Sequence, residues 1–431
     1  MSMTTRLLIC TPTHALRGGV ERILESLADG LPRRGFDVVF GLAKGARFHD
    51  PDRFRAAFPR IRSIDIDGTS GRPSDRIRAV RRVIEHVDPD VVLTARLFDV
   101  YPAAADLKLR GHRLRLAVTI QAYEAEYMID AVHYAPFIDL CVTSGALIAN
   151  AARHFARLPE ERVVSIPGGV AAPRRLRQAR PSQPLRLGYV GRIETVQKRV
   201  LDLAGVLAEL RQRGIAYRCD VVGSGSVEDE LRRRIGDDAT LHGWLSTREL
   251  YERIYPELDL LLHFAEFEGM TIAPREAMAH GVVPVVSRFT GLETEGEFVD
   301  GVNALTFPVG DVAAAADAVE RLDGDRGLLE RLSAAAARSQ SGIRSEDGAL
   351  DAWAAALQRA AELPQRSGAT APRWPREHGR LDVLPAPIAD ALRRLRGRPS
   401  LHNDPGSEWP HCGPGGNPEL LAAIRDFTRG S

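Results

Sequence analysis

The stretch LDLLLHFAEFEGMTIAPREAMAHGVVPVVS, residues 258–287, shows most directly how this chain folds. It begins with one short apolar run, Leu258–His263, and ends with another, Val282–Ser287. Such continuous apolar runs are typical of parallel strands that are buried on both faces. Between them the spacing predicts a helix over Thr271–His280. Pro274 falls in its first turn, where a missing N–H costs no hydrogen bond. We therefore predict a strand–helix–strand unit.

The same alternation continues on both sides of this unit. Apolar runs alternate with helical spacing over residues 7–166 and again over 185–339, and a segment rich in proline and arginine, 171–184, separates the two series. We predict an α/β protein in which two doubly wound parallel sheets face each other across a cleft. The predicted domains are 1–178 and 179–345, followed by a helix over 346–363 that returns to the first domain and a Pro/Gly-rich extension of unknown role over 364–431.

Length and composition limit the class of protein. The chain has 431 residues, 44% of them hydrophobic, and its 58 basic and 57 acidic residues leave a net charge of +1. This composition excludes a mainly disordered chain, and the lack of a basic excess argues against a nucleic-acid partner. No apolar run reaches the roughly 20 residues that span a bilayer, and no signal peptide is evident. We expect a cytoplasmic protein, with a peripheral contact at the inner face of the membrane left open. Its four cysteines form no CxxC pair and are predicted to be free thiols.

Two glutamates flank the start of the predicted helix. Glu268 lies just before the helix and Glu276 one turn inside it. The N–H groups of Gly269, Met270 and Thr271 would point outward from the helix start, which favours an anion such as a phosphate. Ionised carboxylates only accept hydrogen bonds, which suits the hydroxyls of a sugar or a ribose. Taken alone, the two glutamates are explained equally well by an amphipathic helix with exposed acids.

Two further loops follow predicted strands. Arg192 and Lys198 come after the strand 185–190, where two cations can hold a diphosphate and neutralise the charge of a leaving group. A solvated basic loop is the alternative, although lysine occurs only three times in the chain. Gly18 and Gly19 follow the first strand and would let the backbone approach a ligand, or simply form a tight turn. They do not match GxGxxG, so a nicotinamide cofactor is not indicated.

In this order, these segments resemble the GT-B-fold glycosyltransferases of family 4, over residues 1 to about 360. The most specific match is the spaced glutamate pair with the EAMAxGxxPVV pattern of Glu276–Val286. The other matching segments are Gly18–Glu21, Ile166–Val170, Gly191-Arg192 with Lys198, Val221–Gly225, Gly243–Ser246, Asp300–Leu305 and Pro308–Asp311.

The resemblance implies two Rossmann-like domains and a retaining, hexosyltransferase-type enzyme (EC 2.4). It would move a sugar from a UDP- or GDP-sugar to a hydroxyl acceptor, in the biosynthesis of a polysaccharide, a glycolipid or a glycosylated metabolite, with no metal or other cofactor. Arg192 and Lys198 would hold the diphosphate, with Glu268 at the donor sugar and Glu276 at the ribose. The other donor-binding residues that it implies are Gly18, Gly19, Gly223, Trp244, Leu245, Gly269, Met270 and Thr271.

The acceptor side departs from the family pattern. Many members have a histidine after the strand near 119–120, where this chain has Gln121, and His14 in the glycine loop is the candidate replacement. Other acceptor-side candidates follow strand ends, namely Arg96, Tyr123, Glu124 and Tyr127. We interpret His242, His263 and His280 as packing or surface residues. Two alternatives stay open: a sugar-nucleotide epimerase or hydrolase of the same fold, and a non-catalytic sugar-nucleotide-binding protein.

Overall fold

The structure is a computed structural model of the chain. It describes residues 4–13, 18–45, 50–68, 73–121, 125–180, 183–269, 271–370 and 417–429, together with a few single residues between 372 and 396. The chain forms two compact units. Unit 1 comprises Met1–Pro167 with Leu350–Gly430, and unit 2 is essentially Gly168–Ala349.

Unit 1 contains a seven-stranded parallel sheet with helices between its strands. The strands are β1 (Thr5–Thr11), β2 (Phe36–Lys44), β3 (Ser63–Asp67), β4 (Val91–Thr94), β5 (Arg115–Ile120), β6 (Ile138–Thr143) and β7 (Val163–Ser165). The helices are α1 (Gly19–Gly30), α2 (Pro51–Ala57), α3 (Pro73–Val87), α4 (Val100–Leu109), α5 (Ala125–His133) and α6 (Ala146–Phe155). The strand order is β3-β2-β1-β4-β5-β6-β7. The apolar side chains of the inner strands are fully buried, as their continuous apolar runs predict.

Unit 2 repeats this plan with six parallel strands. They are β8 (Leu185–Val190), β9 (Tyr217–Val222), β10 (Thr240–Gly243), β11 (Leu260–His263), β12 (Val283–Ser287) and β13 (Leu305–Phe307). The helices are α7 (Asp202–Gln212), α8 (Glu228–Ile235), α9 (Thr247–Glu249), α10 (Ile272–Ala279), α11 (Leu292–Glu295), α12 (Val312–Gly324) and α13 (Arg326–Ser339). The strand order, β10-β9-β8-β11-β12-β13, is that of a doubly wound fold. The predicted α/β architecture with two parallel sheets is therefore confirmed.

The strands that the apolar pattern does not predict are β3, β10 and β13. Each is the outermost strand on one side of its sheet, and each is short. An edge strand is covered less completely than a central strand, so it tolerates polar residues. In β3 this explains Asp65-Ile66-Asp67, which looks like a metal-binding motif in the sequence. Its Asp67 carboxylate lies 3.3 Å from Lys44 Nζ on β2, so it serves as a partner for a lysine.

The boundary between the units falls earlier than predicted, after Pro167 instead of after residue 178. The reason is that the segment predicted as a linker is anchored to unit 2. Arg177, whose side chain is almost fully buried, lies with Nε 2.9 Å from Asp259 and Nη2 2.7 Å from Glu330. Arginine in this segment therefore reflects ion pairing with one domain, whereas the sequence suggested an unpacked connection.

The C-terminal part of the chain packs on unit 1. The helix α14 (Glu346–Glu362) leads from one unit to the other, and Thr5 Oγ1 on β1 donates a 3.0 Å hydrogen bond to its Gln358. The backbone N–H of Arg366 then donates to the buried Asp139 at 2.7 Å. A last helix, α15 (Pro418–Arg429), rests on α5 and α6 through the buried side chains of Leu421 and Ile424. Part of the extension is thus integral to the first domain.

Candidate active site

The strand order of unit 2 brings two charged loops together. The first strand of that sheet, β8, lies beside β11. From β8 the strand order runs outward through β9 and β10, and from β11 it runs in the opposite direction through β12 and β13. Ligands of doubly wound sheets bind in the crevice that forms where the strand order reverses, at the carboxyl ends of the strands. Here the two loops that leave these ends are 191–199 and 264–271. The backbone N–H of Glu266 in the second donates to the carbonyl of Gln197 in the first at 2.8 Å, which joins them.

Lys198 and Glu268 form an ion pair across these loops. Their side chains are only 15% and 3% exposed. Burial by itself raises the pKa of Glu268, but the charge of Lys198 and the contact with His263 outweigh it and hold that pKa at about 2. Glu268 is therefore ionised at neutral pH and ready to accept hydrogen bonds.

Glu194 holds the cationic loop in shape. Its carboxylate accepts the backbone N–H groups of Val196, Gln197 and Lys198 at 2.9, 3.2 and 2.7 Å. The Arg192 guanidinium, on the same loop, is exposed and contacts the Gln197 side chain. The sequence does not indicate this role for Glu194. A carboxylate that accepts hydrogen bonds from the N–H groups of the residues that follow it has the same sequence pattern as any other charged loop residue.

His263 also belongs to this site, which corrects its interpretation as a packing or surface residue. It is the last residue of β11, and its Nε2 lies 3.0 Å from Glu268 Oε1. Gln197 Nε2 donates to the other carboxylate oxygen at 3.3 Å. Burial lowers the pKa of His263 in spite of the neighbouring carboxylate. Its place at the carboxyl end of a central strand was the sequence signal that pointed here.

The predicted helix start is confirmed, and α10 carries the second glutamate. Pro274 lies in the first turn of α10, as expected. Glu276 is buried, and its carboxylate accepts a 2.8 Å hydrogen bond from the Tyr255 hydroxyl. Just before the helix, the Thr271 hydroxyl donates to Glu297 at 3.1 Å, which ties the loop to the neighbouring segment. Gly269 precedes it in the same loop, whereas Met270 lies outside the described residues.

Glycines join the loops after β8, β9 and β10. Gly191 N–H donates to the Val222 carbonyl at 3.0 Å, and Gly223 N–H donates to the Gly243 carbonyl at 2.8 Å. Gly223 has φ +144°, and a Cβ there would overlap the carbonyl oxygen of Gly191. Only glycine therefore allows this approach. The loop continues into Trp244, which is about half exposed, and the partly buried Leu245.

In unit 1, three of the predicted residues follow the carboxyl ends of the neighbouring strands β4 and β5. Arg96 follows β4 and ion-pairs with Glu21 in the first turn of α1, directly after Gly18 and Gly19. Gln121 follows β5, and its buried Oε1 accepts no hydrogen bond from the described residues. Tyr127 lies on α5. Three other candidates, His14, Tyr123 and Glu124, fall outside the part of the chain that the structure describes.

Two protein-family models match the chain, one for each sheet. The model described as Glycosyltransferase Family 4 matches residues 17–174, and the model described as Glycosyl transferases group 1 matches residues 184–325. The chain is a glycosyltransferase with a family 4 domain and a group 1 domain. The second match contains both charged loops, so the candidate active site lies in a segment that this glycosyltransferase shares with its family.

Solved structures show the same fold. The glycosyltransferase resembles sucrose-phosphate synthase from Thermosynechococcus elongatus, with a TM-score of 0.68 at 14% identity over 82% of this chain and 98% of that one. It also resembles the lipopolysaccharide outer core galactosyltransferase WaaB, with a TM-score of 0.65 at 15% identity over 82% and 99%. Anabaena HepE, solved with UDP and glucose, has a TM-score of 0.65 at 14% identity over 82% and 100%.

These likenesses establish the GT-B fold for the glycosyltransferase. No curated protein matches the chain by sequence. Within the described ranges, none of the helices is both long enough and apolar enough to cross a bilayer.

Proposed function

We propose that this glycosyltransferase transfers a hexose from a nucleoside-diphosphate sugar to a hydroxyl acceptor, with retention of the anomeric configuration. One observation carries the donor assignment: the ion pair of Lys198 with Glu268 lies where β8 and β11 end, in the loop that leads to α10. Positive charge for a diphosphate and a carboxylate for sugar hydroxyls thus occupy the position where doubly wound sheets bind nucleotides.

Each group of the site has a chemical task in this proposal. Lys198, Arg192 and the N–H groups at the start of α10 stabilise the charge that develops on the departing diphosphate. Glu268 accepts hydrogen bonds from the donor sugar and Glu276 from the ribose. Both carboxylates are buried in the free protein, so bulk water competes little for their hydrogen bonds. Because the protein itself supplies this positive charge, we expect transfer to proceed without a divalent cation, which activity in the presence of EDTA tests.

The donor that we propose to test first is UDP-glucose. HepE is a structural neighbour that has been solved with UDP-glucose, and WaaB is described as a galactosyltransferase. Both support a UDP-hexose. On the acceptor side, Arg96, Gln121 and Tyr127 are the described candidates. The unsatisfied Gln121 oxygen supports a contact with a substrate hydroxyl, because a buried acceptor without a donor costs stability unless a ligand satisfies it.

Titration calorimetry with UDP tests the proposal. We expect Lys198→Ala to weaken UDP binding at least tenfold, which is about 1.4 kcal/mol, and to raise the barrier to transfer by about 2–4 kcal/mol. The matched control is Arg211→Ala, because Arg211 is an exposed cation at the far end of α7 that pairs with Asp238 at 2.9 Å. Unchanged UDP binding in Lys198→Ala would refute the donor site.

Product analysis separates the remaining alternatives. Incubation of UDP-glucose without an acceptor yields only slow hydrolysis if the protein is a transferase, whereas an epimerase or a dedicated hydrolase forms its product at full rate. A purely binding protein forms neither product with any acceptor. The anomeric configuration of the transferred sugar, read by proton NMR, tests retention directly.

A further inference from the structure

Two partners compete for one oxygen of Glu268. Lys198 Nζ and His263 Nε2 both approach Oε1, the histidine at 3.0 Å. His263 is 5% exposed, and its ring packs edge-on against Phe289, with the ring centroids 6.1 Å apart. The histidine is therefore held in place by the strand below it and the ring beside it, whereas the lysine reaches the oxygen from a loop on a flexible side chain.

The proposed function requires Lys198 to serve a second partner. A lysine that binds the donor diphosphate has to turn at least part of the way from the carboxylate that it pairs with in the free protein. Glu268 would then be a buried carboxylate that has lost its main counter-charge, which is a costly state unless other donors remain. Among the described residues, two groups remain beside the carboxylate: His263, whose Nε2 lies 3.0 Å from Oε1, and Gln197, whose Nε2 donates to Oε2 at 3.3 Å.

We propose that His263 is a positioning residue that keeps Glu268 aimed at the donor sugar when Lys198 turns to the diphosphate, and that it takes up a proton in this exchange. The inference rests on the proposed function. In the free protein the imidazole is neutral, and its Nε2 lies 3.0 Å from Glu268 Oε1 without forming a hydrogen bond of good geometry. When the lysine leaves, a proton from solvent adds at Nδ1, and the resulting imidazolium replaces the ammonium group as the counter-charge of the carboxylate.

The charges around the ring favour this proton uptake. The charged groups that face His263 in the described part of the chain are Glu268 from the following loop and Lys198 from the loop after β8, while the loop after β12 presents the Phe289 ring. Burial and Lys198 both lower the pKa of His263, and Glu268 raises it. Removal of the lysine charge leaves the carboxylate as the dominant neighbour, so the affinity of His263 for a proton increases.

Calorimetry with UDP-glucose measures the proton directly. The diphosphate of this probe carries no proton near neutral pH, so the binding heat in buffers of different ionisation enthalpy, such as PIPES and Tris, reports protons taken up by the protein. We expect uptake by the wild type and by His112→Gln, a control at an exposed histidine of unit 1. We expect none by His263→Gln, whose amide can donate to Glu268 but does not titrate.

Kinetics separate positioning from mere packing. With water as acceptor and UDP release as the readout, we expect His263→Leu to lower kcat at least tenfold while KM for UDP-glucose changes less than threefold. We expect His263→Gln to restore most of kcat at neutral pH. Equal proton uptake by wild type and His263→Gln, or a wild-type kcat for His263→Leu, would overturn the inference. If the wild type itself binds neither UDP-glucose nor GDP-mannose, the proposed function fails, and this inference fails with it.

Discussion

Removal of the Lys198 ammonium group by Lys198→Met tests how strongly the buried ion pair stabilises unit 2. Glu268 has its pKa held at about 2, against an ordinary value of 4.5. At 1.36 kcal/mol for each pKa unit, this difference corresponds to about 3 kcal/mol of stability at neutral pH. Lys198 supplies the largest part of the effect that lowers the pKa. We expect Lys198→Met to lower the free energy of unfolding by about 2–3 kcal/mol at pH 7.

The sign of the pH dependence follows from the direction of the shift. A carboxyl group with a lowered pKa stabilises the folded state above pH 4.5, and this stabilisation disappears as the pH falls through about 2. The part of the difference between wild type and Lys198→Met that comes from the titration of Glu268 is therefore expected to shrink to less than half between about pH 5 and about pH 3.

The assay is urea unfolding at several pH values, followed by hydrogen exchange of peptides from unit 2. Glu268→Gln and the double variant complete a double-mutant cycle. We expect the double variant to be more stable than Lys198→Met at pH 7, because a neutral amide needs no counter-charge. A stability difference that stays the same from pH 7 to pH 3, or a coupling energy near zero, would show that Lys198 and Glu268 do not form the pair described here.

Three further changes test separate parts of the structure. Gly225→Ala places a Cβ against the backbone oxygen of Ile193 and should lower the free energy of unfolding by about 3 kcal/mol. Gly214→Ala, where the backbone has φ +71° but the space is open, should lower it by about 1 kcal/mol. Equal losses would contradict the close contact between Gly225 and Ile193. Ile424→Asp should destabilise unit 1 by about 2–4 kcal/mol in thermal unfolding, because Ile424 lies on the buried face of α15 against α5 and α6. Ala422→Asp on the exposed face of the same helix should stay within about 0.5 kcal/mol. Glu194→Ala frees three backbone N–H groups and should weaken UDP binding about tenfold by calorimetry; unchanged affinity would show that the cationic loop keeps its shape without it.

Local sequence was sufficient for most of the architecture. A central strand of a sheet covered on both faces needs apolar residues at consecutive positions, so the apolar run Leu185–Val190 predicts β8 with the bounds that the structure has. The edge strands β3 and β10 were missed because their residues are only partly covered, and partial cover leaves no apolar run to find. The arginine-rich segment 171–184 was predicted to be an unpacked linker, so the predicted domain boundary lies too far along the chain. A charged segment has the same sequence pattern whether it is solvated or ion-paired.

The sequence by itself determined which loops of this glycosyltransferase carry the charged groups, because those loops follow recognisable strands and ligands bind at strand ends. Only the tertiary structure decided which charges meet. Lys198 and Glu268 are 70 residues apart, and they pair because β8 lies next to β11 in the sheet. His263 joins them for the same reason. Pairing between distant strands depends on the packing of the whole unit, and no local pattern of residues records it.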